Sequence, residues 1–407
     1  MPLPAEEPAG RWRMLFVIGI AELLGMSLWF AGTAIAPELA VRWGLSASEA
    51  GWLTSAVQLG FVAGTLAAAV LNLADLLPGR AYFAVSALLA ALVNAALLVS
   101  ASFGIALVLR FLTGMLLAGV YPPAMKMAAT WFRSGRGLAI GVVVGALTVG
   151  KALPYLVDGL GGATMATVIS AASLMALAAA ALVAVAWRDG PHAFPRRPFS
   201  WQLTGEVIRC RPVRLITASY LGHMWELYSF WAWIAVFLSA SAAAHAAGGG
   251  TAVSADAVDR MVFFVIAAGG VACVTGGWLA DRHGRERLVT GALALSGSCA
   301  LIIGWAFGKS FWIVMLVALV WGMAVIADSA QFSALVTEEA PAHAVGTALT
   351  LQLSLGFLLT TVTIQLVPFL AGALGWAWAF PVLALGPAAG ILAMTALRRL
   401  RAARLVT

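Results

Sequence analysis

Seven ionisable residues stand inside long apolar runs: Glu22, Arg110, Lys126, Lys151, His223, Glu226 and Asp328. A charge at the centre of a bilayer costs about 2.5–3.5 kcal/mol on insertion scales, so such a residue is kept where it faces a partner or a water-filled path. The chain has only three lysines, Lys126, Lys151 and Lys309, and two of them fall in the single stretch 110–154. Long cations can bend back to the headgroups. Lys126, seven residues from Arg133, is placed for that. Lys151 stands about 21 Å along a helix from Gly137 at 1.5 Å per residue, too far to reach out easily.

The chemistry these residues offer is ion recognition and proton exchange. A desolvated Lys151 ammonium suits an anionic group, with Arg110 as a second cation. Glu226 lies one turn from His223, and burial disfavours charge on either, so the pair suits proton exchange at physiological pH. Asp328 and Glu22 are further proton sites. Glu226 has another reading, a plain ion pair with Lys151 that closes two halves. Glu22 and Lys126 lie about 12 and 10 Å from the same side of the apolar layer and suit a gating pair. Trp225 and Tyr228 flank Glu226. Tyr121, Gln58 and Gln352 complete the polar candidates, although polar residues also bind membrane helices to one another. His223 and Glu226 are at i, i+3 with no further His or Cys near, which is too few ligands for a transition metal. No nucleophile elbow, phosphate-binding loop or cofactor motif occurs, so enzymes and primary pumps are set aside.

These residues are carried by membrane helices. Charged residues are 10% of the chain and apolar ones 62%, where soluble domains average about 25% charged. A span needs about 20 apolar residues. Twelve are expected, near 14–37, 50–73, 81–100, 103–130, 137–157, 164–187, 215–240, 260–280, 288–307, 311–335, 346–371 and 376–397. Pro122 and Pro123 should break the fourth. Residues 1–13 are polar and precede a full-length span, so no cleavable leader is read. Cys210, Cys273 and Cys299 are scattered and imply no disulfide. With the N-terminus inside, eighteen Lys and Arg lie on the inner side and three on the outer. That bias places both termini in the cytoplasm, in the inner membrane, and accounts for the net charge of +7 without a nucleic-acid partner.

The two halves repeat weakly. Glu22 and Trp29 match Glu226 and Trp233 at an offset of 204, Asp75 matches Asp281 at 206, and Gly114 matches Gly322 at 208. The expected organisation is a bundle of six helices over 1–187, a cytoplasmic linker over 188–214 and a second bundle over 215–407, with a solute site near mid-membrane.

The loop Gly277-Trp278-Leu279-Ala280-Asp281-Arg282-His283-Gly284-Arg285 resembles the G-x-L-x-D-R-x-G-R loop of the major facilitator superfamily. Its first-half counterpart, Asn72 to Arg80, keeps Asp75, Gly79 and Arg80 but has lost the leading glycine and the first arginine. The aspartate accepts hydrogen bonds from a helix N-terminus or from arginine. Asp75, Arg80, Asp281, Arg282 and Arg285, with Lys126, are therefore candidate gating residues. Arg110 with Gly114 resembles the R-x-x-x-G element of span 4, which the resemblance ties to proton coupling. The Gly-Pro pair of the family's drug antiporters is replaced by Gly150-Lys151. The nitrate porters' arginines in spans 2 and 8 are absent.

The resemblance implies an all-helical transporter of twelve spans working by alternating access. Buried charges avoid spans 3, 6, 9 and 12, which the family keeps outside the cavity. They also split by half: three cations with Glu22 in the first, two carboxylates with His223 in the second. The reading is a monomeric, proton-coupled transporter of a small organic anion such as a carboxylate, with no cofactor. Two other readings stay open, proton-antiport efflux of an amphipathic compound and a non-transporting receptor or assembly factor.

Overall fold

The apolar runs fold as expected from their length. The computed structural model describes residues 8–132, 135–161, 163–192 and 200–404, except the side chains of 74, 75 and 136. Among them there is no strand, and twelve helical stretches are long and apolar enough to cross a membrane. They are Arg11–Trp43 (span 1), Ala47–Val70 (2), Gly79–Val99 (3), Phe103–Ala129 (4), Gly137–Asp158 (5), Met165–Ala186 (6), Arg211–Ala247 (7), Ala255–His283 (8), Arg285–Ala306 (9), Phe311–Glu339 (10), Val345–Leu374 (11) and Trp376–Arg404 (12). Twelve crossings bring both termini to one end of the molecule, here the termini end. The opposite end is the far end.

Local sequence sets where the helices start and stop. Span 2 begins at a capping box in which Ser46 and Glu49 satisfy each other's backbone N–H groups. Span 4 stops at Leu117 and restarts at Tyr121, with prolines in the first turn of its second piece, where a missing N–H costs nothing. Span 1 is interrupted at Ser27 and again at Ile35, and span 10 between Ala324 and Ser329. Span 7 runs past the expected end at 240 to Ala247, because the following residues are mostly alanine, and it stops at the glycines from Gly248 on. Residues 201–209 of the linker form an amphipathic helix that packs on spans 7 and 11.

Spans 1–6 pack among themselves, as do spans 7–12. The main contacts between the two sets are span 5 on span 8 and span 2 on span 11. The weak internal repeat is visible in the packing. A Cβ placed on Gly114 would lie 2.0 Å from the Val57 carbonyl oxygen, and one on Gly322 would lie 2.0 Å from that of Val265. Both glycine and carbonyl shift by the same 208 residues. The R-x-x-x-G glycine is thus a point of close helix approach in each half.

Candidate functional site

The site is built around Lys151 on span 5. Gly150, its neighbour, makes the position possible: a Cβ there would lie 2.2 Å from the Leu23 carbonyl oxygen, so only glycine lets span 5 meet span 1 at this level. That approach brings Lys151 beside Glu22, the carboxylate whose charge acts on it. Both residues are fully buried. The Lys151 Nζ donates to the Tyr228 hydroxyl of span 7 at 2.5 Å, so it bridges the two halves. The same ammonium lies 3.9 Å from the Trp29 ring centroid, 4.5 Å from Tyr228 and 5.1 Å from Trp231. Aromatic faces carry negative potential and hold a desolvated cation. Phe61 and Phe357, 4.7 Å apart between centroids, continue this wall from spans 2 and 11.

The Glu22 carboxylate accepts no hydrogen bond among the described residues, and the side-chain amides of Gln58 and Gln352 are likewise buried without a partner. Buried polar groups of this kind are rare in folded proteins and mark a place where water or a ligand belongs. Tyr121 and Tyr228 line a small cavity of about 30 Å³ beside Lys151 and the termini-end half of span 10.

The remaining predicted residues fall elsewhere. Arg110 donates to the carbonyls of Leu28 and Trp29 and to Asn94 Oδ1, so two of its three acceptors are span 1 carbonyls just past the break at Ser27. Glu226 does not face Lys151. It accepts from Ser296 Oγ at 2.8 Å and Trp321 Nε1 at 2.6 Å, inside the second half. His223 does not pair with Glu226 either, although i and i+3 share a helix face: Glu226 is held by Ser296 and Trp321 instead. The partner of His223 is Asp328, at 2.9 Å from Nδ1, at the break in span 10. The Trp225 indole donates to the Val382 carbonyl and is turned to span 12. Lys126 is half-buried in the last turn of span 4, and Glu22 is coupled to Lys151.

At the termini end, Asp281 of span 8 lies against the first turn of span 5, where a Cβ on Gly137 would be 3.1 Å from Oδ2. Arg285 sits 3.7 Å from Asp281 and bonds Glu338 at 2.8 Å and Gln331 at 2.6 Å. Arg282 packs over the Trp278 ring, and Arg80 donates to the Ala184 carbonyl. The Asp75 side chain lies outside the described residues. Arg401, on span 12, adds ion pairs to Glu286, Glu338 and Glu339.

A family model of the Major Facilitator Superfamily matches residues 17–258, more than half of the chain. The chain belongs to the Major Facilitator Superfamily. Solved structures with the same fold include a bacterial homologue of the human lysosomal transporter Spinster in an inward-facing, unoccupied conformation, at 14% identity and a TM-score of 0.68 over 96% of this chain and 95% of that one. The nucleoside transporter NupG is similar at 13% identity and a TM-score of 0.69, over 94% and 99%. No curated protein sequence matches the chain. As a Major Facilitator Superfamily member it is a multi-pass membrane protein and a secondary transporter for a small molecule, not an enzyme.

The sequence reading of this superfamily member missed Trp29, Trp231, Phe61 and Phe357 as site walls. A signal was present for two of them. Trp29 lies two turns from Glu22, and Trp231 one turn from Tyr228, each on the same helix face as a candidate. Phe61 and Phe357 carry no such mark, since a phenylalanine in a membrane helix reads the same facing lipid or cavity.

Proposed function

We propose that the chain is a proton-coupled transporter of a small organic anion, a carboxylate, in which the bundles 1–187 and 215–407 rock about Lys151. One observation carries the reading: a fully buried ammonium on one half is held by a hydroxyl of the other and by aromatic faces, with an unpartnered carboxylate beside it. A solute carboxylate replaces Glu22 as the counter-charge of Lys151. Glu22, left without its cation in an apolar surround, then takes up a proton. Proton and anion thus enter together, and the loaded site is electrically neutral: the solute carboxylate balances Lys151, and protonated Glu22 carries no charge.

His223 with Asp328, and Glu226, serve as proton acceptors in the second half. Asp281, Arg282 and Arg285, with Arg80, Asp75 and Lys126, close the termini end. Eighteen basic residues expected on that side support its assignment to the cytoplasm, in the inner membrane, for a monomer.

The test is counterflow in proteoliposomes, with small carboxylates, inorganic anions, zwitterions and lipophilic cations offered in turn. Exchange of a carboxylate that falls at least tenfold in Lys151→Ala supports the proposal. Normal exchange by Lys151→Ala, with lipophilic compounds as the only solutes moved, would establish efflux of amphipathic compounds instead.

A further inference from the structure

A second cavity, of about 570 Å³, opens at the far end between spans 1, 2, 5, 7 and 8. Four carboxylates line it: Glu38, Asp158, Asp256 and Asp259. Their charges act on one another, yet among the described residues none of the four forms an ion pair. The nearby cations are engaged elsewhere. Arg260 donates to the Gly159 carbonyl, and Arg42 lies over Trp43. Of the four carboxylates, Glu38 has a bond of its own, accepting from the Met165 N–H at 2.8 Å.

The walls add a second kind of evidence. Tyr155 lines the cavity, is 1% exposed, and its hydroxyl has no hydrogen-bonding partner. The charges of Asp158 and Asp259 act on that phenol. Trp233, almost wholly buried, forms another wall, its indole N–H already spent on the Ile364 carbonyl. Carboxylates around an aromatic face recognise ammonium groups. The carboxylates are not gathered as a metal site would require, since no group of three His, Cys, Asp or Glu among the described residues is placed to hold an ion. The volume is in the range of small organic ligands, roughly 300–1,000 Å³.

We infer that the far-end cavity is a binding site for an organic cation of the amine or quaternary ammonium class, held by Asp158, Asp259 and Asp256 against Trp233, with the Tyr155 hydroxyl as the buried polar contact. Tyr155 and Asp158 follow Lys151 on one face of span 5, one and two turns toward the far end. A solute with an ammonium beside its carboxylate therefore meets the acidic cavity first and Lys151 next. This last step rests on the transport reading above; the cation site itself does not.

The experiment is calorimetric titration of the purified full-length protein in detergent with tetramethylammonium chloride and with choline chloride, at constant ionic strength. Saturable binding of one molecule is expected, weakened at least tenfold in the Asp158→Asn, Asp259→Asn double variant. Should the double variant fail to fold, Asp259→Asn alone decides, because that residue is half-buried and carries no hydrogen bond in the structure. Choline binding should weaken severalfold in Tyr155→Phe. Heat that never saturates, affinity equal in the aspartate variants and wild type, or equal displacement by sodium would each overturn the proposal.

Discussion

Arg110 and Lys151 are both fully buried cations, and their surroundings give them different work. Arg110 spends its planar fork on two backbone carbonyls and an asparagine, which is a structural duty. Lysine cannot reproduce that fork. Arg110→Lys should therefore lower stability by about 1.5–3 kcal/mol, the worth of one hydrogen bond to a charged group, read as a fall in melting temperature in detergent. Glu22 is the opposite case, buried and unpartnered. Glu22→Gln keeps the shape and removes the proton, so counterflow should survive while uptake driven by a pH gradient is lost. Equal loss of both would assign Glu22 a purely structural part. The buried charges were all legible in the sequence, because an ionisable residue in an apolar run is conspicuous. Their partners were not. The sequence offers Glu226 as an ion-pair partner for Lys151 and Glu22 as one for Lys126; in the structure Glu22 lies beside Lys151, and Glu226 is turned away toward Ser296 and Trp321.

The helices themselves were read from hydropathy, span by span, and the break in span 4 from Pro122 and Pro123. The break at Ser27 in span 1 carries no proline or glycine at the broken residue and escaped notice. Close approach was equally hidden, since a glycine in sequence does not say which backbone it admits. Gly150 is the informative example. In Gly150→Ala the new Cβ meets the Leu23 carbonyl, a backbone atom that cannot swing aside. Overpacking of this kind typically costs about 1–3 kcal/mol, and span 1 must move away from span 5, parting Glu22 from Lys151. The expected outcome is a lower melting temperature together with at least a tenfold loss of transport. A control at Gly104, which has open space around it, should change neither.

For the molecule as a whole, the repeat of 208 residues relates Gly114 with Val57 to Gly322 with Val265, while the repeat-related Glu22 and Glu226 have unlike surroundings. A symmetric frame thus holds asymmetric chemistry, and the frame was the more legible because it depends on spacing rather than on side-chain rotation. The sidedness argued from arginine can be checked directly. A fluorescent protein fused to either terminus should be shielded from protease in intact cells, and a reporter inserted in the far-end loop at 248–250 should be cleaved.

The hydrogen bond from Lys151 to Tyr228 has one more consequence. In the structure Lys151 fastens one half to the other. On the proposed reading of Lys151 as the solute's counter-charge, an idle carrier is a locked carrier: without cargo to compete for the ammonium, the halves stay joined and a coupled proton gradient is not drained through futile turnover. Tyr228→Phe, which keeps the ring and removes the bond, should raise the proton leak of liposomes that contain no solute at all.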